Sequence, residues 1–181
     1  MTGTGRRPDD ELVQVAEVVR PVGLRGEVKL YPLLDFHPLL LDSGFLRWDD
    51  GKPAEFRTVR DGGSGTWIVH PAECEDRTAA EQRVGRGLVF RTGDYRRPEF
   101  PRPAGGLPFR YLGRSVVTAG GEPVGEVVEV RRHGAQYTLV VADEGGEMLI
   151  PAVQPILRPD GDALEGDLVV DPPEGLLDAN R

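Results

Sequence analysis

The sequence predicts an all-β protein, two small β-barrels in tandem with one short helix and a Pro/Gly-rich linker between them. Three observations point there. Gly 24 and Pro 16 together exceed a fifth of the 181 residues, which leaves few uninterrupted stretches for helices of ordinary length. Short runs rich in Val, Leu, Phe, Trp and Thr recur between turn residues, the texture of strands. Midway along the chain, Gly93 to Pro108 contains four prolines and three glycines, a break between two folded halves. The expected organisation is a first domain over 12–92, a linker over 93–108 and a second domain over 109–178.

Leu12 to Val19 and Glu27 to Leu34 are the first expected strands. Gly23 and Gly26 let the chain turn sharply between them, and Arg25 and Lys29 put cationic groups near that turn. Phe56 to Arg60 and Thr66 to His70 follow, with Asp61-Gly62 between them tolerating the positive φ angles of a hairpin. From Asp76 to Gly85 an acidic N-cap, good helix formers and a terminal glycine predict the helix, about two turns long. Beyond the linker, Gly120-Gly121 separates Ser115–Thr118 from Pro123–Arg131, and Gly145-Gly146 separates Tyr137–Ala142 from Glu147–Ile150. Asp160-Gly161 precedes Leu164–Asp171. Three turns at this spacing imply an antiparallel meander, which must close or pair to hide its edges, so a small barrel is expected.

Hydrophobic residues make up 39% of the chain and charged ones 29%, a balance that suits a globular core. No stretch approaches ~18 apolar residues, and Met1 to Glu11 is polar, so neither a membrane span nor a secretory signal is expected. Cys74 is the single cysteine, which excludes an intramolecular disulfide and a cysteine zinc cluster. A cytoplasmic location fits. Charge divides unevenly: through Arg102 the chain has 16 Lys and Arg against 17 Asp and Glu, and from Pro103 onward 6 against 13. The first half is thus near neutral and can offer a local basic face to RNA phosphates, whereas the second, at net -7, would repel them and attract a basic protein.

Signatures of catalysis are missing. His37, His70 and His133 lie far apart with no paired spacing, so no metal site is expected and they are read as surface or turn residues. There is no phosphate-binding Gly-x-x-x-x-Gly-Lys-Ser/Thr loop and no Gly-x-Ser-x-Gly elbow. The run Asp61-Gly62-Gly63-Ser64-Gly65 is a hairpin tip rather than a phosphate cradle, since no long helix follows it. Cys74 lies between Glu73 and Glu75, whose charge disfavours a thiolate, and it is expected to be a small packed residue. Neither catalytic residues nor a cofactor are expected.

Several segments taken together resemble a known family. Val15 to Leu30, which reads Val-Ala-Glu-Val-Val-Arg-Pro-Val-Gly-Leu-Arg-Gly-Glu-Val-Lys-Leu, resembles the opening of the ribosome maturation factor RimM family. The resemblance continues in the helix Asp76–Gly85 followed by Gly87-Leu88-Val89-Phe90, and in Leu112-Gly113, Val116-Val117, Gly125-Glu126-Val127, Gly134-Ala135 and Leu139-Val140-Val141. Its most specific parts are Leu149-Ile150-Pro151-Ala152-Val153 and the ending Val170 to Asp178. The ordered set spans about residues 12 to 178.

The resemblance implies a translation-factor-like N-terminal barrel joined to a PRC-barrel, in an accessory factor for assembly of the small (30S) ribosomal subunit. Such a factor binds the immature subunit, contacts ribosomal protein S19 in its head and promotes 16S rRNA processing, as a monomer and with no membrane. Gly23, Leu24, Arg25, Gly26 and Lys29 then become the candidates for rRNA and subunit binding. Family members carry an aromatic pair shortly before the matching Leu-Gly; here Phe109 and Tyr111 are the nearest aromatics, at a different spacing. In a strand they would share one face. With Pro172, Pro173, Leu176 and Leu177 they are the candidates for ribosomal-protein binding. The alternative is a generic adaptor module binding a basic protein tail, since fold alone does not fix function.

Overall fold

The computed structural model describes residues 10–103, 105–159, 164–173 and 175, which divide into two compact units, 10–103 and 105–175. Both are β-structures, one built on a six-stranded and the other on a five-stranded sheet. No helix among the described residues is long and apolar enough to cross a membrane.

In the first unit, β1 (Leu12–Val22) and β2 (Glu27–Pro32) form an antiparallel hairpin. β3 (Arg47–Trp48), β4 (Phe56–Gly63), β5 (Thr66–Pro71) and β6 (Gly87–Arg91) complete a sheet of order β3-β6-β1-β2-β5-β4. The strands form where the alternation places them: Val13, Val15, Val18, Val28, Leu30 and Val69 point inward and are buried, with polar residues between them. β3 and β4 stand at opposite ends of this order, yet the chain runs from one to the other through the Arg47–Pro53 bridge. The sheet therefore curls onto itself, which hides the edges of a small barrel. Trp48 fills its interior, edge-on to Phe56 at 6.3 Å, with the Arg83 guanidinium 4.7 Å above its ring.

The helix α1 (Arg77–Glu81), capped by the Asp76 carboxylate at Ala79 N–H, is shorter than the expected span 76–85, because from Arg83 the backbone bonds tighten to the residue three back, Arg83 N–H to Ala80 O and Val84 N–H to Glu81 O. Gln82 N–H still bonds back to the Thr78 carbonyl, so the rest of the span is turn.

Within 93–108, expected as the linker, aromatic packing occurs. Phe100 sits 5.1 Å from both Phe45 and Phe90 and 5.6 Å from Tyr95, and with Asp94 and Tyr95 it is buried in the first unit. Leu107 and Pro108 are buried in the second. The prolines interrupt regular structure there without freeing the chain from contact.

In the second unit, β7 (Ser115–Thr118), β8 (Pro123–His133), β9 (Gln136–Asp143) and β10 (Gly146–Pro151) form the expected antiparallel meander. The last strand departs from it. β11 (Leu168–Val170) pairs in parallel with β7, so the meander does not continue to the end of the chain. Residues 156–158 run along the other edge of β11 through the Leu157–Val170 bridge and the bonds Arg158 N–H to Val169 O and Asp171 N–H to Ile156 O. Parallel pairing needs a crossover rather than a hairpin, and the stretch after β10 supplies it. Asp160-Gly161, on which the hairpin expectation rested, lies outside the described residues. The buried Arg114 pins the chain before β11 by donating to the carbonyls of Gly166 (2.9 Å) and Glu165 (3.4 Å).

Candidate nucleic-acid interface

The β1–β2 turn is built by two glycines. Gly23 (φ +61°) and Gly26 (φ +89°) lie in the left-handed region that ordinary side chains rarely adopt. Gly26 has a second reason to be glycine, since a Cβ there would collide with the Cys74 carbonyl. The turn thus rests on the chain before α1. Its tip projects outward, with Leu24 75% exposed and Arg25 exposed beside it. Arg77, which pairs with Glu81 at 2.8 Å, also donates to the Gly23 carbonyl at 3.4 Å and braces the turn.

The strand register extends this turn into a row that sequence reasoning missed. Arg20 faces Lys29 across β1–β2, Lys29 faces Ile68 across β2–β5, and Ile68 faces Arg60 across β5–β4. Residues directly opposite in a sheet share a face, so three cations stand in line on the outer surface, with Ile68 half-buried between two of them. Three inter-strand gaps make that line roughly 14 Å long. The neighbouring row, Pro21, Val28, Val69 and Val59, faces the core, as the alternation requires. Arg20 and Arg25 form no ion pair or hydrogen bond among the described residues, whereas Lys29 makes one long bond to the Gly62 carbonyl (3.4 Å). Arg60 is held by Glu27 at 3.1 Å. Tyr31, two residues beyond Lys29 on the same face, is 56% exposed. Cations interleaved with an exposed aromatic ring can contact phosphates and stack a base. Lys29 and Arg60 sit on strands the sequence placed, but Arg20 lies just past the expected end of the first strand at Val19, beyond a bulge between Val18 and Arg20, so neither the strand's length nor the register that aligns the three was legible.

The second unit offers a surface of opposite character. Glu126 and Glu147 flank Ala142 across β8-β9-β10, and Glu129 and Leu149 flank Val140 two residues along. Glu126 and Glu147 make no hydrogen bond or ion pair among the described residues, while Glu129 is tied to Arg131 at 2.9 Å. Those contacts hold the Glu129 carboxyl below the usual carboxylate range, the Arg131 hydrogen bond contributing most. Val128, extruded at the bulge between Val127 and Glu129, is 49% exposed and Leu149 40%. The face is a small apolar centre rimmed by carboxylates.

Phe109 and Tyr111 do not form an exposed patch. They lie in a single 3-10 turn, Pro108–Tyr111, rather than a strand, and both are buried, with the Tyr111 hydroxyl donating to the Gly105 carbonyl at 3.3 Å. Pro108 presets the turn's backbone angle, which removes the two-residue alternation that would have aligned the rings. Pro172 is half-buried and Pro173 exposed; Leu176 and Leu177 lie outside the described residues.

The histidines correct another expectation. His37 is buried, with neither ring nitrogen hydrogen-bonded, and burial lowers its pKa against a weaker opposing effect of the Pro101 carbonyl. His70 is half-buried and its Nε2 lies 2.8 Å from the Cys74 carbonyl. Cys74 is buried as expected, and burial first, then Glu73, raises its thiol pKa. Among the described residues no three His, Cys, Asp or Glu side chains gather as metal ligands.

Comparison with known proteins covers nearly the whole chain. The model described as the RimM N-terminal domain matches residues 13–92, and that described as the RimM PRC barrel domain matches residues 108–176. The chain is 34% identical over 176 residues to the ribosome maturation factor RimM of Thermobifida fusca, covering 92% of this chain and 98% of that protein. It is 36% identical over 166 residues to the protein of the same name from Kineococcus radiotolerans, covering 90% and 92%. Against that of Moorella thermoacetica the identity is 31% over 180 residues, covering 94% and 99%.

Proposed function

This chain belongs to the RimM family of ribosome maturation factors, which are not enzymes, and on that premise we propose that it binds the immature 30S subunit and promotes 16S rRNA processing in the cytoplasm. In this reading the first unit lies against rRNA and the second against ribosomal protein S19 in the subunit head. The observation that carries it is the cation row Arg20–Lys29–Arg60 with the free Arg25 at the adjoining turn. Such a row neutralises a run of phosphates and gains affinity from released counterions, without reading sequence. The carboxylate-rimmed apolar face of β8-β9-β10 supports the protein contact, because apolar burial supplies affinity while the rim guides a basic partner. Phe109 and Tyr111, being buried, support that face from within the unit rather than touching the partner.

Co-sedimentation with precursor and mature small subunits tests the reading. The full chain should travel with precursors and not with mature subunits, and Arg20→Gln with Lys29→Gln and Arg60→Gln should abolish this without unfolding the protein. Equal binding to both particles, or full binding by the triple variant, would favour a general adaptor of basic protein tails.

A further inference from the structure

We propose that a cleft at the open side of the first barrel binds one basic side chain, a lysine or arginine, presented by a protein segment. The cleft holds about 440 Å³ and lies where the β4–β5 edge meets the 3-10 turn Pro38–Leu40 and the chain at Pro101. Three features define it independently of the RNA face, which is carried on the opposite side of β5, since Trp67 and Ile68 are consecutive and point to opposite sides.

The walls are apolar. Trp67, half-buried and 6.3 Å from Phe36, stands with Val59 and the 62% exposed Leu39 around the cavity. An exposed leucine beside an indole that is only half-covered is apolar surface left without a partner inside the unit. Asp42 and Glu99 line the same cleft, are exposed, and make no hydrogen bond or ion pair among the described residues. The nearby arginine with an assigned ion pair is directed elsewhere, Arg97 to Asp94 at 3.3 Å. A concave site with an aromatic wall and two uncompensated carboxylates selects a long alkyl stem that ends in a positive charge. The stem covers the apolar wall, the charge meets the carboxylates, and the indole face adds a cation–π attraction. Phosphate is disfavoured by the same carboxylates, so the occupant is protein and not RNA. The site stands whether or not the row on the outer face binds rRNA.

The experiment titrates the full chain with the capped peptide Gly-Arg-Gly-Arg-Gly and follows the two indole N–H resonances. The Trp67 signal should shift saturably and the signal of the buried Trp48 should stay fixed. Asp42→Asn with Glu99→Gln, both exposed and outside the fold's packing, should weaken binding about fivefold, the loss expected for two exposed charge contacts. An oligouridine titration should leave Trp67 unmoved. A Trp67 signal that ignores the peptide, unchanged affinity in the double variant, or a Trp67 shift with oligouridine would each overturn the proposal. So would a Trp67 shift produced only by deleting residues 1–9, which would assign the cleft to the chain's own Arg6 and Arg7.

Discussion

At the residue scale, Gly26 combines a positive φ with a missing side chain whose place is taken by the Cys74 carbonyl, while Gly23 has the same handedness but open space around it. Both were legible from the sequence as turn glycines; their inequality was not, because it depends on a chain segment nearly fifty positions away. Gly26→Ala is expected to cost about 1–3 kcal/mol in urea unfolding, and more than Gly23→Ala. Glu27 restrains Arg60 at the end of the cation row. Glu27→Gln should therefore raise affinity for single-stranded RNA and steepen its salt dependence by roughly one phosphate contact, measured by fluorescence anisotropy at several salt concentrations. His37 was read as a surface or turn residue because a lone histidine carries no burial signal, yet it is packed, and burial lowers its pKa. Its folded pKa lies below its unfolded value near ~6.5, so the unfolded chain takes up a proton first as pH falls. Stability should therefore drop as pH falls below about 6.5. The depressed carboxyls Asp49, Asp50 and Glu129 start to lose their contribution only as pH falls through the normal carboxylate range near ~4, so the decline just below pH ~6.5 is left to His37. Urea midpoints across it should fall in the parent and flatten in His37→Gln.

At the element scale, what could be read depended on whether a strand's partner was near in sequence. β1, β2, β4, β5 and the β7–β10 meander carry alternating patterns and local turns, and they lie where the sequence places them. β3 is two residues long and paired with the distant β6, too little for a period to emerge, whereas β11 falls inside the expected strand Leu164–Asp171 and only its parallel pairing with the distant β7 was not legible. The 3-10 turn at Pro108–Tyr111 hides in the same way: two aromatics spaced by one residue suggest a strand face, and the preceding proline overrides it. The acidic face of the second sheet was foreseen as charge but not as geometry, since only register sets Glu126 and Glu147 on either side of Ala142. Glu126→Gln with Glu147→Gln should weaken binding of purified S19 roughly fivefold by isothermal titration, with little effect on RNA affinity. Equal affinity would remove this face from the contact.

At the scale of the whole molecule, the charge division and the two sheets agree: the near-neutral half sets three of its cations in line on one sheet face, and the half at net -7 rims an apolar centre with carboxylates. Composition revealed the imbalance, and the strand registers converted it into two surfaces. The family and its two barrel domains were legible because their motifs lie in order along most of the chain. The division of labour between these faces is tested most directly by cryo-EM of the full chain on a precursor small subunit. The outer face of β1-β2-β5-β4 should lie against rRNA phosphates, with Arg20, Lys29 and Arg60 in contact, and the β8-β9-β10 face against S19. A complex with the cation row turned to solvent, or with the carboxylate-rimmed face packed on RNA, would contradict it.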